Sequence, residues 1–205
     1  MRGRADNIGR TSFLCYYHMM IEVMLNNVKM NFMTRPALFS PNGPDAGTLA
    51  MLSFAEFKPD DKVHDLGCGW GLVGIYAAKI IGGENVTMSD TDAGAVAAAA
   101  ENAEFNGVPG IKIIHSDGYD NIDDAGYTII LSNPPYHADF SIAKRFIEKG
   151  FNRLAMGGRL VMVVKRLDWY KNKLAAIFGG VTVREKGGYY VLIAEKRNNK
   201  WANRH

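Results

Sequence analysis

The sequence predicts an α/β protein built on a mainly parallel β-sheet, and three features of the chain indicate this fold. Candidate strands and helices alternate five times through the middle of the chain, as strand–helix–strand units do. The first of these strands ends at Asp65 and passes through three alternating glycines, Gly67 to Gly71, into a helix. Two last strands, at residues 181–185 and 189–194, stand at hairpin spacing and add one antiparallel element.

Composition limits the classes of protein that this chain can belong to. Its 205 residues are 47% hydrophobic, which is enough for one good core, and a second domain is not expected. The 24 basic and 21 acidic residues leave a net charge of +3, which permits an RNA partner without demanding one. The two cysteines, Cys15 and Cys68, favour a reducing cytosol over a disulfide scaffold.

Hydropathy gives no sign of a membrane segment. No apolar run reaches the roughly 18 residues of a membrane span. The apolar stretch near the N-terminus is interrupted by His18 and Glu22, so it lacks the apolar core of a signal peptide. We therefore expect a soluble, cytoplasmic protein with no membrane partner.

We divide the chain into an N-terminal extension at residues 1–38, an α/β domain at 39–197 and a basic tail at 198–205. In the extension, apolar residues at helical spacing predict a helix over 12–25, and looser alternation predicts a strand over 29–39. At the start of the domain, Asp45 is expected to cap a helix over residues 46–56, which Pro59 breaks.

The elements of the α/β domain carry clear signals for where they stop. Glycine pairs or an Asn-Gly pair end most of them, and an alanine-rich composition alone predicts the third helix of the domain. After the strand that begins at Val63, we predict strands at 86–89, 111–115, 127–131 and 159–164, and helices at 72–81, 93–105, 142–154 and 169–178.

Polar side chains follow four of the predicted strands, at the edge of the sheet where ligands bind. These are Asp65, Asp90, Asp117 and Asn133. In an open α/β sheet, the crevice beyond the carboxyl ends of the strands is the usual binding site. Each residue alone is weak evidence, because polar residues commonly end a strand, but together they define a candidate site.

The glycine loop and the acids near it limit the kinds of ligand that the site can bind. It is not a phosphate-binding P-loop, because no Lys-Ser/Thr pair follows, and Leu72 and Val73 stand where a dinucleotide site needs its third glycine. Asp65 would repel a pyrophosphate but attract a cation. Asp90 lies about 20 residues further on, where an acid can hydrogen-bond ribose hydroxyls. S-adenosylmethionine carries a ribose and a positive charge but no phosphate, and therefore fits this pattern.

The same residues resemble, in order and spacing, those of the class I S-adenosylmethionine-dependent methyltransferases. The resemblance rests on Asp65-Leu66-Gly67-Cys68-Gly69-Trp70-Gly71, Asp90, Asp117 and Asn133-Pro134-Pro135-Tyr136, and it runs from about residue 39 to 196. Within that class the chain looks like the small-domain methyltransferases related to the guanine-N2 methyltransferases of small-subunit ribosomal RNA.

The resemblance implies a Rossmann-like seven-stranded, mainly parallel sheet with helices on both faces and an antiparallel C-terminal hairpin. It also implies that S-adenosylmethionine is the methyl donor. The cofactor-binding residues that it implies are Asp65, Gly67, Cys68, Gly69, Gly71, Asp90, Thr91, Asp117, Gly118 and Asn133. No metal is expected, because His64 and His115 do not stand at zinc-ligand spacing from Cys68.

The segment Asn133-Pro134-Pro135-Tyr136 is predicted to be catalytic and marks enzymes that methylate the nitrogen of an amine or amide. An exocyclic amine is a poor nucleophile because its lone pair is delocalised into the ring. The Asn133 side chain and the Pro134 backbone offer carbonyl oxygens that can accept its two hydrogens and favour a tetrahedral nitrogen. Tyr136 can stack on the flat acceptor.

The resemblance implies methylation of the exocyclic N2 of guanine in ribosomal RNA, and the sequence leaves other readings open. These are N5-methylation of a protein glutamine, methylation of a small amine metabolite, and a non-catalytic RNA-binding or assembly module. Lys165-Arg166 can either meet substrate phosphate or form a solvated pair, and His137 can be a proton acceptor or an ordinary loop residue. The basic, aromatic tail suits either RNA contact or a solubilising end.

Overall fold

The computed structural model describes residues 19–135 and 140–202. The helices and strands in this part of the chain, in order, are β1 (Met19–Leu25), β2 (Val28–Thr34), α1 (Ala46–Leu52), β3 (Val63–Leu66), α2 (Leu72–Ile81), β4 (Val86–Asp90), α3 (Ala93–Phe105), β5 (Lys112–His115), β6 (Tyr127–Ser132), α4 (Phe140–Arg153), β7 (Leu154–Val164), α5 (Leu167–Phe178), β8 (Thr182–Lys186) and β9 (Tyr189–Glu195).

The described residues form one large sheet of seven strands in the order β5-β4-β3-β6-β7-β9-β8. The pairs β3–β4, β3–β6, β4–β5 and β6–β7 are parallel, while β9 runs antiparallel to both β7 and β8. The predicted fold class, a mainly parallel α/β sheet closed by an antiparallel hairpin, is confirmed.

Helices cover both faces of this sheet, because alternate residues of its strands enter two separate cores. Val161 and Val163 of β7 pack in a core with residues of α1, α2 and α3. Leu160 and Met162 of the same strand pack in a second core with residues of α4 and α5. This double burial explains why the central strands are continuous apolar runs in the sequence.

The start of α2 is packed closely against α3, and this contact needs a glycine. Gly71 precedes the helix with a φ of 95°, in the left-handed region. A Cβ on Gly71 would lie 3.4 Å from the Cα of Ala99 and 3.1 Å from the Cδ1 of Ile75. The last of the three alternating glycines therefore lets the helix sit against its neighbour.

The helix predicted over residues 12–25 is wrong for its described part, because residues 19–25 form the strand β1. Residues 12–18 lie outside the described part of the chain. β1 pairs antiparallel with β2 through the turn at Asn26 and Asn27, whose φ values are 46° and 65°. Two successive positive φ values fit the tight turn that a hairpin favours, and asparagine tolerates them. The methionine-rich apolar spacing is compatible with period 2 as well as with a helix.

The β1–β2 hairpin is fixed to the domain by two asparagines of α3 that bond the backbone of β2. Asn102 accepts from Met33 N (2.8 Å) and donates to Met33 O (3.1 Å). Asn106 makes the same pair of bonds to Asn31, at 3.0 and 2.7 Å. Asn102 also donates to Trp70 O in the glycine loop at 2.9 Å. The polar backbone of this hairpin edge is thereby satisfied by side chains.

Other predicted boundaries also moved. The first helix of the domain ends at Leu52 rather than near residue 56, and the strand predicted over 159–164 begins earlier, at Leu154. Gly157 lies inside this longer strand. The β6–β7 ladder shifts register there, and Gly157 has a φ of 78°. In the tail, the N–H of Ala202 donates to Ile177 O at 3.0 Å, so the described residues of the tail lie along the end of α5.

The helices among the described residues are all too short or too polar to cross a bilayer.

Replacing Asn102 with alanine should destabilise the fold. Its side chain is 0% exposed, and the change leaves the Met33 peptide and Trp70 O without their partners. Buried groups left unpaired cost about 1–3 kcal/mol, so the free energy of unfolding in urea should fall by that amount. The control is Glu101→Ala, which removes the partly exposed ion pair with Arg35 and should cost less than about 1 kcal/mol. Equal losses in the two variants would contradict the interpretation.

Candidate active site

A pocket of about 250 Å³ lies at the carboxyl ends of β3, β4, β5 and β6. Parallel strands bring their ends to one edge, and the residues predicted from four separate strand ends therefore meet. The predicted site residues that line it are Gly67, Gly69, Asp90, Thr91, Asp117, Gly118, Asn133, Pro134 and Pro135. The sequence reasoning missed six further lining residues: Phe39, Leu66, Ser89, Ser116, Ile142 and Phe146.

The glycine loop folds tightly onto the end of β4. The N–H groups of Gly67 and Cys68 both donate to Ser89 O, at 2.8 and 3.0 Å. Gly67 and Gly69 have φ values of 79° and 54°, which favour glycine. A Cβ on either would meet none of the described atoms within 4 Å, so both face open space at the pocket.

Asp90 is held in place by two backbone donors at the end of β4. Its Oδ2 accepts from Gly69 N at 2.8 Å, and its Oδ1 accepts from Asp92 N at 2.9 Å. A carboxylate oxygen can accept more than one hydrogen bond, so each oxygen keeps acceptor capacity for a ligand hydroxyl. The neighbouring Thr91 is exposed, and its carbonyl oxygen lies 2.9 Å from His115 Nε2.

Asp65 lies deeper than the sequence suggested. It lines a smaller adjoining cavity of about 50 Å³, which shares Phe39, Gly67, Gly69 and Asn133 with the main pocket. Its Oδ2 accepts from Gly74 N at 2.9 Å. Burial, with a further contribution from the charge of Asp90, raises the pKa of Asp65 to about 7. A cation placed beside it would stabilise the ionised form and lower that pKa.

Cys68 and Gly71 take different places from the other predicted loop residues. Cys68 is buried and lines only the smaller cavity, and burial raises the pKa of its thiol well above the usual value. Gly71 lies against α3 instead of against either cavity. Their proposed contact with a cofactor stays a prediction.

Asn133 follows β6, and two residues that are distant from it in sequence orient its side-chain amide. Its Nδ2 donates to Asp45 Oδ2 at 2.9 Å and to Thr48 Oγ1 at 3.0 Å. These two hydrogen bonds turn the NH₂ group toward Asp45 and Thr48 and leave the amide oxygen on the opposite side. That oxygen, Oδ1, is buried and has no hydrogen-bond partner among the described residues.

The same Asp45 carboxylate caps α1, as the sequence predicted. Its Oδ2 accepts from Thr48 N at 3.0 Å. Pro134 is buried beside Asn133, and Pro135 is exposed. Tyr136 and His137, the other candidates in this segment, lie outside the described residues.

At the opposite rim of the pocket, Asp117 and Gly118 follow β5. The Asp117 side chain is 59% exposed and pairs with Arg145 of α4. Gly118 has a φ of 62°, and a Cβ there would lie 3.3 Å from the Phe146 ring. The close approach of Phe146 makes an apolar wall next to the acidic rim.

Phe39 is the most prominent of the missed residues. Its ring is 56% exposed at the mouth of both cavities, and its carbonyl oxygen accepts from Trp70 Nε1 at 3.0 Å. The segment that follows it, Ser40-Pro41-Asn42-Gly43-Pro44, has the composition of a rigid turn, but nothing in that composition indicates that it borders the site.

His64 does not line the pocket but lies next to one of its lining residues. Its Nε2 lies 2.8 Å from Ser89 Oγ, and Ser89 lines the pocket. Burial lowers the pKa of His64 to about 3, so the ring is neutral. Within residues 19–135 and 140–202, no three His, Cys, Asp or Glu side chains cluster as metal ligands would.

Comparison with known proteins connects this geometry to a family. Residues 29–194 match the model of the methyltransferase small domain. YbxB of Bacillus subtilis, an uncharacterized protein, is 32% identical over 178 residues, which are 84% of this chain and 89% of that one. Ribosomal RNA small subunit methyltransferase C of Sodalis glossinidius is 32% identical over 161 residues, which are 77% of this chain and 45% of that one.

A solved structure shows the same similarity. The T. thermophilus 16S rRNA N2 G1207 methyltransferase RsmC, in complex with AdoMet and guanosine, superposes with a TM-score of 0.80 at 25% identity. The match covers 88% of this chain and 51% of RsmC. The chain thus spans about half the length of these methyltransferase C proteins but most of YbxB.

The Asp65 carboxyl should make stability fall as pH rises. Its folded pKa of about 7 lies above the ordinary value of 3.8, so the folded state holds the proton longer. Its stabilising contribution is full below 3.8 and is lost as pH rises through about 7. We expect Asp65→Asn to gain stability relative to the wild type over this window, measured by urea unfolding at several pH values.

Asp120→Asn provides a control of opposite sign, because a hydrogen bond from Lys149 lowers the pKa of Asp120. A difference between wild type and Asp65→Asn that stays constant with pH would show that the Asp65 carboxyl does not titrate in this way.

Proposed function

Because the chain belongs to the methyltransferase small domain family, we propose that it transfers a methyl group from S-adenosylmethionine to the exocyclic N2 amine of a guanine in small-subunit ribosomal RNA. The observation that carries this proposal is the buried, unpartnered Oδ1 of Asn133 beside the glycine-loop pocket. An acceptor fixed in this way suits the N–H group of a substrate amine.

The pocket residues fit S-adenosylmethionine. Gly67 and Gly69 leave open the space that a Cβ would fill, so a ligand can approach the backbone. Asp90 has acceptor capacity for ribose hydroxyls, and the smaller cavity places Asp65 within reach of a cationic group. When bound, S-adenosylmethionine supplies a methyl group activated by its positively charged sulfur.

The protein's part in the transfer is to align and polarise the acceptor amine. Asn133 Oδ1 accepts one amine hydrogen, and the Pro134 carbonyl accepts the other, which favours a tetrahedral nitrogen with a directed lone pair. Asp45 and Thr48 prevent the Asn133 amide from turning. Holding the amine in one orientation removes an entropic barrier. Stacking of Tyr136 on the base remains part of the proposal.

The choice of guanine in ribosomal RNA is supported by the names of similar proteins. The methyltransferase C relatives and RsmC act on small-subunit ribosomal RNA, and RsmC was solved with guanosine. Guanine offers an amine of the type that the Asn133 site suits. We propose a cytoplasmic location, where an enzyme would meet a ribosomal RNA substrate.

The acceptor can be identified by transfer of radiolabel. The protein is incubated with labelled S-adenosylmethionine and separate pools of small-subunit particles, naked ribosomal RNA, release factors and amine metabolites. Label in either RNA pool, recovered as N2-methylguanosine after digestion, is the expected result. Label confined to release factors or metabolites would reject the guanine assignment while retaining the methyltransferase.

Asn133→Ala should abolish transfer in that assay, while the affinity for S-adenosylmethionine stays nearly unchanged in calorimetry. Asp45→Ser is the matched variant, because serine can still cap α1 but its shorter side chain cannot hold the Asn133 amide. We expect Asp45→Ser to lower kcat with little change in the free energy of unfolding. Full activity in both variants would contradict the mechanism in which Asn133 aligns the amine.

Asp90→Ala should weaken S-adenosylmethionine binding by about 1–3 kcal/mol, as expected for the loss of a hydrogen-bond partner in a buried polar contact. The control is Asp92→Ala, which removes an adjacent exposed carboxylate that caps α3 outside the pocket lining. Isothermal titration calorimetry gives both affinities. Equal affinities for Asp90→Ala and wild type would remove Asp90 from the cofactor site.

A further inference from the structure

A second concave site, which we call the α1 groove, lies next to the candidate active site. It has a volume of about 530 Å³, within the range of pockets that hold organic ligands. Its centre is α1, which contributes Ala46, Leu49, Ala50 and Leu52, together with Ser53 at the C-cap of the helix. The end of the β1–β2 hairpin and the β8–β9 turn contribute its other walls, together with Tyr76 of α2.

The α1 groove differs in charge from the main pocket. Two aspartates line the main pocket, whereas none of the described residues lining the groove is acidic. Lys186 lies on its wall, is exposed, and forms no ion pair with a carboxylate of the described residues. The Nζ of Lys165 lies 5.1 Å from the ring centre of Tyr189, another wall residue. The groove therefore combines the Lys186 side chain with aromatic and aliphatic surface, and Lys165 lies beside its Tyr189 wall without lining it.

Strand register places this cationic wall in line with the acceptor segment. Ser132 of β6 pairs with Met162 of β7, so Pro135 and Lys165 each lie three residues further along their chains. Val164 pairs with Tyr190, and Tyr189 pairs with Lys186. At about 4.8 Å per strand, the four strands β6, β7, β9 and β8 span roughly 15 Å. Lys186 and Tyr189 lie at this edge of the sheet, and Pro135 and Lys165 follow the strand ends there.

The groove and the acceptor site also share α1. Asp45, which fixes the Asn133 amide, is followed directly by Ala46, a lining residue of the groove. A single-stranded polyanion with its target base at Asn133 could therefore follow the surface from the acceptor site to the groove. On this path it would pass the lysines at the edge of the sheet.

We propose that the α1 groove binds the single-stranded RNA next to the target guanine, with backbone phosphate at Lys186 and Lys165 and a neighbouring base against Tyr189 and Leu49. This inference rests on the proposed function for its choice of polyanion. Phosphate contacts by lysine and stacking on aromatic rings are the usual means of holding a single strand. For Lys165, this proposal takes one of the two readings that the sequence left open, contact with substrate phosphate.

The test measures RNA binding apart from methyl transfer. Fluorescence anisotropy with a short labelled single-stranded RNA gives Kd for the full chain over a range of salt concentrations. Lys186→Glu should raise Kd about tenfold and lower the slope of log affinity against log salt by about 0.7 for each lost phosphate contact. Ser53→Leu, which fills the groove from an exposed position and leaves both lysines, should also raise Kd. Neither variant should change S-adenosylmethionine affinity.

Lys58→Glu is the charge-matched control, because Lys58 is exposed and precedes β3 at the opposite edge of the sheet. Equal effects of Lys58→Glu and Lys186→Glu, or unchanged RNA binding in Ser53→Leu, would overturn the groove assignment. Label transfer to RNA alongside such a result would leave the proposed function standing. Conversely, RNA binding that depends on Lys186 and Ser53, with label only in a non-RNA pool, would retain the groove and reject the guanine assignment.

Discussion

The hydrogen bond between the Asp45 carboxylate and the Asn133 amide is the interaction on which the candidate site depends. It joins the start of α1 to the end of β6. The NH₂ group of the Asn133 amide is hydrogen-bonded, whereas its oxygen has no partner among the described residues. A buried carbonyl without a partner costs about 1–3 kcal/mol. In the proposed function this cost is recovered on binding, because a substrate N–H group that reaches the Asn133 oxygen would supply the missing hydrogen bond.

The parallel sheet supplies the second constraint, because it gathers the ends of distant strands at one edge. The glycine loop, Asp90 and Asn133 come from three strands and still line one pocket. The acidic residues of the site differ in their burial. Asp65 is buried and has a pKa near neutrality, while Asp90 and Asp117 lie nearer the surface. The buried acid can gain charge when a cation arrives, so part of the site's attraction for a cationic ligand develops only on binding.

The sequence predicts those features that local chemistry decides. The helices at 72–81 and 93–105 have the bounds that their glycine and alanine patterns indicate, and Asp45 caps α1 as expected. The β1–β2 hairpin was missed because its apolar spacing suits either period, and its Asn26-Asn27 turn carried the deciding signal. Contacts between residues that are distant in sequence could not be predicted in this way. Nothing local connects Asn133 with Asp45, which is 88 residues earlier, or gives Asp65 its burial.

The β1–β2 hairpin shows how contacts between distant residues stabilise the glycine loop. Phe32 of β2 packs edge-on against Trp70, with ring centres 4.7 Å apart, and Asn102 bonds both Met33 and the Trp70 carbonyl. Trp70 in turn donates to the carbonyl of Phe39 at the pocket mouth. A tight loop of alternating glycines has little side-chain packing of its own to hold one conformation. The large ring of Trp70, set among these glycines, provides that packing. The β1–β2 hairpin thus contributes to the rigidity of the glycine loop, although it lines neither of the two cavities of the candidate active site.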